Sequence, residues 1–254
     1  GWQIVRCGGC GLIFYDGPPE ANLYSESYFS GTEYRDYLAD ERAHRRNFRR
    51  RLRTLRRYVS GGRLLEVGCA YGLFLDEARE HFHVAGIDVC QWPNDYAREA
   101  LGVEVATGEF LDQPEPLQPY DAVCMWDTLE HLPHPVRAIE RAAAWLAPGG
   151  VLAVTTNDVG SLVACVRGRR WRQVHPPTHR WYFSRATLRR AVEQAGLSVE
   201  AVRYPGVSRG WASMAHGVFG EGALQHAATL GGRLNFDLTL NLRDIMYVIA
   251  RKPA

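Results

Sequence analysis

From Arg63 onward the chain alternates between short apolar segments and segments with helical periodicity. The segments predicted as strands are 64–67, 84–88, 103–105, 121–126, 151–155, 197–203 and 245–251. The helices predicted among them are 73–80, 97–101, 135–146 and 185–195, the last capped by Ser184. Parallel strands need such crossover helices, so this alternation predicts an α/β fold, a doubly wound sheet with helices on both faces.

The first predicted strand enters a glycine-rich turn, residues 68–72, which we call the glycine turn. Its small residues Gly68, Ala70 and Gly72 allow a ligand to approach the backbone closely, and the following helix directs N–H groups toward it. Asp88 ends the second strand about 20 residues later, where an acidic side chain can accept hydrogen bonds from both hydroxyls of a ribose. The pair indicates a nucleoside-binding site.

An NAD(P)-dependent oxidoreductase is the main alternative for such a turn. The dinucleotide fingerprint G-x-G-x-x-G places its third glycine five residues after the first. Counted from Gly68, that position is Leu73, so the dinucleotide interpretation lacks its best-defined residue.

Composition sets further limits on function. A net charge of +2 with 23% charged residues gives no global field that favours nucleic acid or membranes. No apolar stretch approaches the ~20 residues of a membrane span, and no segment is typical of a signal peptide. The six cysteines are scattered without a disulfide pattern. We therefore expect a cytoplasmic protein without nucleic-acid or membrane partners.

Several segments resemble, in the correct order, the motifs of class I S-adenosylmethionine-dependent methyltransferases. They are LLEVGCAYGLFL at 64–75, GIDV at 86–89, GEF at 108–110, WDTLEHLP at 126–133, LAPGG at 146–150 and HRWYFS at 179–184. The resemblance implies S-adenosylmethionine as cofactor and S-adenosylhomocysteine as product. It also implies a Rossmann-like seven-stranded sheet whose last strand, near 246–250, runs antiparallel to the others.

The resemblance implies roles for individual residues as well. The methionine end of the cofactor would be bound by Glu66, Gly68, Cys69, Ala70, Tyr71 and Gly72, and the ribose by Asp88. The adenine would contact Val89, Glu109 and Phe110. The floor beneath the methyl group would be formed by Asp127 and Thr128. The sequence departs from the family at Ala70, where glycine is usual. Because alanine adds only a methyl group, we still expect binding.

For the acceptor we expect a small molecule, with a hydroxyl of a sugar or secondary metabolite as the leading hypothesis. A sulfonium methyl is already electrophilic, so the protein mainly positions the acceptor, and a hydroxyl also benefits from a general base. We predict His131 and His179 as candidates for that catalytic base. A purely structural role for His131, such as a hydrogen bond to Glu130, is an open alternative.

Aromatic and histidine residues near these segments are candidates for acceptor contacts. His175 and Trp181 lie in a proline-containing loop expected at the carboxyl end of the sheet, where loops carry ligand contacts. Tyr28 and Tyr34 match aromatic positions of the family and are predicted to cover the site. For all four residues simple packing is the alternative.

The chain divides by pattern into residues 1–60 and a methyltransferase domain, 61–254, with substrate-facing insertions near 160–184 and 204–244. The first part contains an arginine-rich helix, predicted at 39–59. Its arginines are interpreted as a solvated face. Binding of an anionic substrate such as a nucleotide sugar is the next alternative, and nucleic-acid binding is the least favoured.

Residues 7–11, Cys-Gly-Gly-Cys-Gly, resemble half of a zinc ribbon. A structural zinc site needs four ligands, and the second cysteine pair would lie upstream. We therefore predict no ordered metal ion. A homodimer and a non-catalytic protein that binds S-adenosylmethionine are alternatives that the sequence leaves open.

Overall fold

The computed structural model describes residues 3–18, 37–210 and 237–254. Its strands are β1 (Ile4–Arg6), β2 (Ile13–Tyr15), β3 (Arg63–Val67), β4 (His83–Asp88), β5 (Glu104–Thr107), β6 (Tyr120–Trp126), β7 (Leu146–Asn157), β8 (Trp181–Tyr182), β9 (Ser198–Arg203), β10 (Val207–Gly210), β11 (Asp237–Leu240) and β12 (Ile245–Arg251). Its α-helices are α1 (Glu41–Leu55), α2 (Leu73–Ala78), α3 (Gln91–Glu99), α4 (Pro135–Trp145), α5 (Leu162–Arg167) and α6 (Arg185–Gln194).

Seven strands form the central sheet, in the order β5-β4-β3-β6-β7-β12-β9. Strands β3 to β7 pair in parallel, and β12 pairs antiparallel with both β7 and β9. The predicted seven-stranded doubly wound sheet and its antiparallel last strand are therefore confirmed. The chain reverses its strand order at β3, so the carboxyl ends of β3 and β6 border the crevice in which such sheets bind ligands.

The two faces of the sheet carry separate apolar cores because successive strand residues point to opposite sides. On β3, Leu64 packs in the core formed with α1, α2 and α3, whereas Leu65 packs in the core formed with α4 and α6. Both residues are at most 1% exposed. Strands buried on both faces explain the continuous apolar runs that predicted the parallel sheet.

Some helix boundaries differ from the prediction. Helix α3 begins at Gln91 rather than 97, with Pro93 in its first turn, where a missing N–H costs no helical hydrogen bond. Helix α1 ends at Leu55, and Val59 follows it as a partly buried residue. The cap at Ser184 is confirmed, since its hydroxyl accepts a hydrogen bond from the Thr187 N–H at 3.2 Å.

A small second sheet consists of β1, β2 and β8, and residues 7–10 form the turn of its hairpin. The segment 204–244 contributes β10 and β11, which pair with each other, and residues 211–236 lie outside the described part. Within the described ranges, no helix has both the length and the apolar character that crossing a membrane requires.

Candidate active site

The glycine turn, which follows β3, has positive φ angles that small residues adopt most easily. Gly68 has φ +74°, and a Cβ placed on it would lie 2.5 Å from the Thr128 Cγ2. Ala70 also has a positive φ, of 44°, which side chains other than glycine adopt at a cost. The turn therefore stores strain at the carboxyl end of β3, where ligands of such sheets bind.

Asp88 holds the glycine turn from the end of β4. Its Oδ2 accepts a hydrogen bond from the Ala70 N–H and its Oδ1 accepts one from the Cys90 N–H, both at 2.9 Å. Burial raises the pKa of Asp88 above its ordinary value, although these backbone N–H groups oppose the rise. Each carboxylate oxygen keeps a further lone pair, so the side chain can also accept hydrogen bonds from ribose hydroxyls.

Glu66 is a buried carboxylate at the floor of the crevice. It is 2% exposed, and its Oε2 has no hydrogen-bond partner among the described residues. Burial raises its pKa well above the ordinary value, and the positive charge of Arg51 acts in the opposite direction. An unpaired buried carboxylate is costly, so this site fits a ligand that brings a cationic N–H donor.

Arg51 of α1 reaches the same floor and was not identified from sequence. It is 8% exposed, lies over the Trp126 ring, and donates a hydrogen bond of 2.5 Å to the Asp127 Oδ2. The signal that could have distinguished it is spacing. Arg51 stands three residues after Phe48 and four before Leu55, on the apolar stripe of the helix. The expectation of a solvated arginine face is therefore wrong for Arg51.

Asp127 follows β6 with a positive φ of 52°. Its Oδ1 accepts a hydrogen bond of 2.9 Å from the Thr155 hydroxyl, opposite the bond from Arg51. Burial raises the pKa of Asp127, but the Arg51 guanidinium and the hydrogen bonds outweigh it, so the pKa lies below the ordinary value. Asp127 is therefore a charged partner of Arg51 at neutral pH.

Three histidines, His131, His175 and His179, meet on the other side of the crevice and form what we call the histidine cluster. The ring centroids of His131 and His179 are 4.7 Å apart, and those of His175 and His179 are 3.7 Å apart. The Nδ1 of His131 lies 2.9 Å from the Thr178 carbonyl oxygen, and that of His179 lies 2.9 Å from the Gln173 carbonyl oxygen. A carbonyl only accepts, so both Nδ1 atoms carry the proton and both Nε2 atoms carry the lone pair.

Burial keeps the imidazole rings of His131 and His179 uncharged at neutral pH. Burial lowers the pKa of His131 to about 4, and burial also lowers the pKa of His179 well below its ordinary value. The neighbouring Glu130 is 2% exposed, and its Oε2 accepts a hydrogen bond of 2.8 Å from the Thr156 hydroxyl. Burial and the charge of Asp127 raise the pKa of Glu130 to about 8.

One cleft of about 940 Å³ joins these groups. The predicted residues that line it are Glu66, Gly68, Cys69, Ala70, Asp88, Val89, Glu109, Phe110, Asp127, Thr128, His131, His175 and His179. Val89 is 38% exposed in the cleft, so it offers an apolar surface against which a planar ring can pack. Tyr28 and Tyr34 lie outside the described residues.

Three predicted residues lie behind the wall of the cleft. Tyr71 is 2% exposed and packs edge-on against Trp92 and Tyr96. Gly72, at φ +72°, is the N-cap of α2. Trp181 donates its indole N–H to the Leu132 carbonyl at 2.8 Å. These residues shape the turn and the loop, and the cleft surface is formed by their neighbours.

Comparison with known proteins identifies the family of the chain. A model of the methyltransferase-domain family matches residues 39–202. The chain belongs to the methyltransferase-domain family. A ubiquinone biosynthesis O-methyltransferase of Xylella fastidiosa is 32% identical over 160 residues, which are 57% of this chain and 64% of that protein. The match thus spans less than two thirds of that relative's length.

Solved structures share the fold of the methyltransferase. An S-adenosylmethionine-dependent methyltransferase of Mesorhizobium loti superposes with a TM-score of 0.55 at 18% identity, covering 79% of this chain and 95% of that one. The [4+2]-cyclase SpnF superposes with a TM-score of 0.55 at 22% identity, covering 81% of this chain and 80% of that one. At such identities the likeness shows the fold alone, and the chemistry follows from the family match.

The methyl donor of this family is S-adenosylmethionine, and the site residues fit it. The buried Oε2 of Glu66, which has no hydrogen-bond partner among the described residues, suits an α-ammonium group, and the glycine turn leaves room for a methionine end where a Cβ on Gly68 would intrude. Asp88 and Val89 fit the ribose and the adenine. The oxidoreductase alternative is therefore wrong.

Substitution of Gly68 by alanine should weaken the donor site. The added Cβ meets Thr128 at 2.5 Å in a left-handed conformation, so we expect unfolding free energy to fall by about 2 kcal/mol and S-adenosylhomocysteine affinity to fall about tenfold. Calorimetric titration and thermal unfolding measure the two effects. Gly102→Ala is the matched control, because Gly102 has φ +64° with nothing within 4 Å of its Cβ position. Equal S-adenosylhomocysteine affinity in the two variants would contradict the assignment of the glycine turn to the donor site.

Proposed function

We propose that this methyltransferase methylates a hydroxyl oxygen of a small molecule, such as a sugar or a secondary metabolite. The observation that supports the proposal is the continuity of the cleft, which runs from the glycine turn and Asp88 to the histidine cluster. A volume of about 940 Å³ falls in the range of small-molecule sites. The O-methyltransferase name of the 32% identical relative supports oxygen as the acceptor atom.

The donor half is formed by charged and small residues. We assign the α-ammonium group to Glu66 and the α-carboxylate to Arg51, whose planar guanidinium has N–H groups beyond the one bonded to Asp127. Asp88 takes the ribose, and Glu109 and Phe110 lie where they can border the adenine. We assign Asp127 and Thr128 to the floor beneath the reacting methyl group, the role that the family resemblance of the motif after β6 implies.

The acceptor half is formed by the histidine cluster. When bound, S-adenosylmethionine supplies a sulfonium methyl to the acceptor oxygen, and the electron pair of the broken C–S bond stays on sulfur in S-adenosylhomocysteine. The Nε2 lone pairs of His131 and His179 can take up the hydroxyl proton or hold the hydroxyl oxygen in line. His175 borders the same space. Tyr28 and Tyr34 remain predicted cover residues.

The transfer reaction can be tested with donor carrying a labelled methyl group. The acceptor panels are nucleotide sugars and phenolic metabolites, and mass spectrometry locates the label. We expect label on oxygen in one panel. His131→Ala should lower kcat about 100-fold with little change in the KM for the donor, because its effect lies on the acceptor side.

His83→Ala is the control for that variant. His83 is exposed at the start of β4, at the edge of the sheet opposite the cleft. Label found on nitrogen or carbon, or full turnover in both His131→Ala and His179→Ala, would overturn the proposal.

A further inference from the structure

We propose that Glu130, His131 and His179 bind a divalent transition-metal ion of the zinc type inside the acceptor half of the cleft. Each residue offers one ligand atom, and these three atoms lie within 4.8 Å of one another. All three residues line the cleft. This metal site is separate from the Cys7 and Cys10 pair, and the sequence did not predict it.

The imidazoles are set in the form that ligates. The backbone carbonyls of Thr178 and Gln173 each accept a hydrogen bond from an Nδ1, which assigns the lone pair to Nε2 in both rings. Ligating histidines nearly always donate their other N–H to a carbonyl or carboxylate in this way, because it fixes the ring orientation. Here two histidines from separate segments have the same arrangement.

The carboxylate ligand is supported in the same manner. The Thr156 hydroxyl donates to the Oε2 of Glu130 at 2.8 Å, and both residues are buried. The Glu130 carbonyl accepts hydrogen bonds from the backbone N–H groups of Arg180 and Trp181, at 3.0 and 3.2 Å. These bonds tie the loop that carries His179 directly to the segment that carries Glu130 and His131.

The ligand set selects the kind of ion. Two imidazoles and one carboxylate suit zinc and its neighbours, whereas magnesium and calcium prefer sites made of oxygen alone. Around zinc at ~2.1 Å from each ligand, ligand atoms stand about 3.4 Å apart. A separation of up to 4.8 Å therefore requires only a small inward movement of the side chains.

Three protein ligands leave an open coordination position, as in catalytic zinc sites. The ion can bind the acceptor hydroxyl there, lower the pKa of that hydroxyl and release its proton to solvent. This role rests on the proposed function, and it would replace the direct base role of His131 and His179. Metal binding itself is independent of the acceptor.

The test is metal binding by the full chain without acceptor. The Cys7 and Cys10 thiols can also bind zinc, so the parent protein carries Cys7→Ser and Cys10→Ser, at the exposed hairpin turn. After chelation, Zn²⁺ is titrated by calorimetry, and Co²⁺ by absorption. We expect one ion per chain. His131→Ala and Glu130→Gln should each weaken binding by about 100-fold or more.

Two further variants separate ligation from folding. Thr156→Val removes the hydroxyl bonded to Glu130 at nearly constant shape, and it should weaken Zn²⁺ binding about 10-fold to 100-fold. His83→Ala should bind Zn²⁺ like the parent. Retained binding of S-adenosylhomocysteine shows that each variant is folded.

The outcomes are distinct. No Zn²⁺ or Co²⁺ binding by the parent, or unchanged binding in His131→Ala and His179→Ala, overturns the metal site. Full transfer by metal-free parent protein overturns the metal's role and leaves the proposed function standing. One ion per chain, lost in the ligand variants, supports the site even when no hydroxyl acceptor is methylated, and in that case the proposed function fails alone.

Discussion

Replacing Asp88 by asparagine should lower the affinity for S-adenosylhomocysteine by about 100-fold, or ~3 kcal/mol. The carboxylate accepts from the Ala70 and Cys90 N–H groups and is assigned both ribose hydroxyls. An amide has only one acceptor oxygen, and its NH₂ group must face either a backbone N–H or a hydroxyl that needs an acceptor. Calorimetric titration of S-adenosylhomocysteine measures the loss.

Asp95→Asn is the matched control for this experiment. Asp95 lies on α3 and accepts hydrogen bonds from Gln91 and Arg98 at the surface. We expect the Asp95→Asn variant to bind S-adenosylhomocysteine within about threefold of the wild-type affinity, since surface ion pairs contribute little. If Asp88→Asn also bound the product within threefold, the ribose would have to lie elsewhere in the cleft.

The fold follows from local sequence features in this chain. Strand β6 carries an uninterrupted apolar run, residues 122–126, because both of its faces are covered, and α4 begins with Pro135 where a missing N–H is harmless. The glycine turn and Asp88 follow from spacing along adjacent strands. The antiparallel β12 came from the family resemblance, since a strand's direction leaves no mark on its own composition.

The acceptor half could not be predicted in this way. His131 and His179 are 48 residues apart and meet because the loop before β8 is fixed at both ends. The Trp171 indole donates to Asp244 at 2.9 Å, and the Trp181 indole donates to the Leu132 carbonyl at 2.8 Å. Such contacts depend on tertiary packing, and neither tryptophan has a sequence pattern that names its partner. The sequence therefore identified both histidines without identifying Glu130 as their companion.

The burial of Arg51 on the donor side also depends on tertiary packing and was not predicted from sequence. Substitution of Arg51 should lower both the stability and the donor affinity. We expect Arg51→Met to lower the unfolding free energy by about 2–3 kcal/mol. Removing one partner of a buried ion pair costs ~3–5 kcal/mol, and the Asp127 side chain is 37% exposed, so the cost is smaller here. The change also removes the cation–π contact with Trp126 and the proposed bond to the donor carboxylate, so donor affinity should fall at least tenfold.

The matched control is Arg49→Met, two residues away on the same helix. Arg49 bonds Glu77, but its side chain is 61% exposed, so we expect less than about 1 kcal/mol and no change in donor affinity. Chemical denaturation and product titration of both variants make the comparison. Equal losses of stability in the two variants would mean that Arg51 acts as one more surface arginine.

The pH dependence gives Arg51→Met a further signature. Arg51 holds the pKa of Asp127 below its ordinary value, and it also opposes the raised pKa of Glu66 and Glu130. A folded pKa below the unfolded value near ~3.9 gives Asp127 a stabilising contribution above that pH, which is lost as pH falls. Without Arg51, burial alone raises these pKa values, and the charged carboxylates destabilise the fold at neutral pH. The stability gap between wild type and Arg51→Met should therefore be widest near pH 7 and narrow toward pH 4, whereas a gap that is constant with pH would place the effect in lost packing against Trp126 and Phe48.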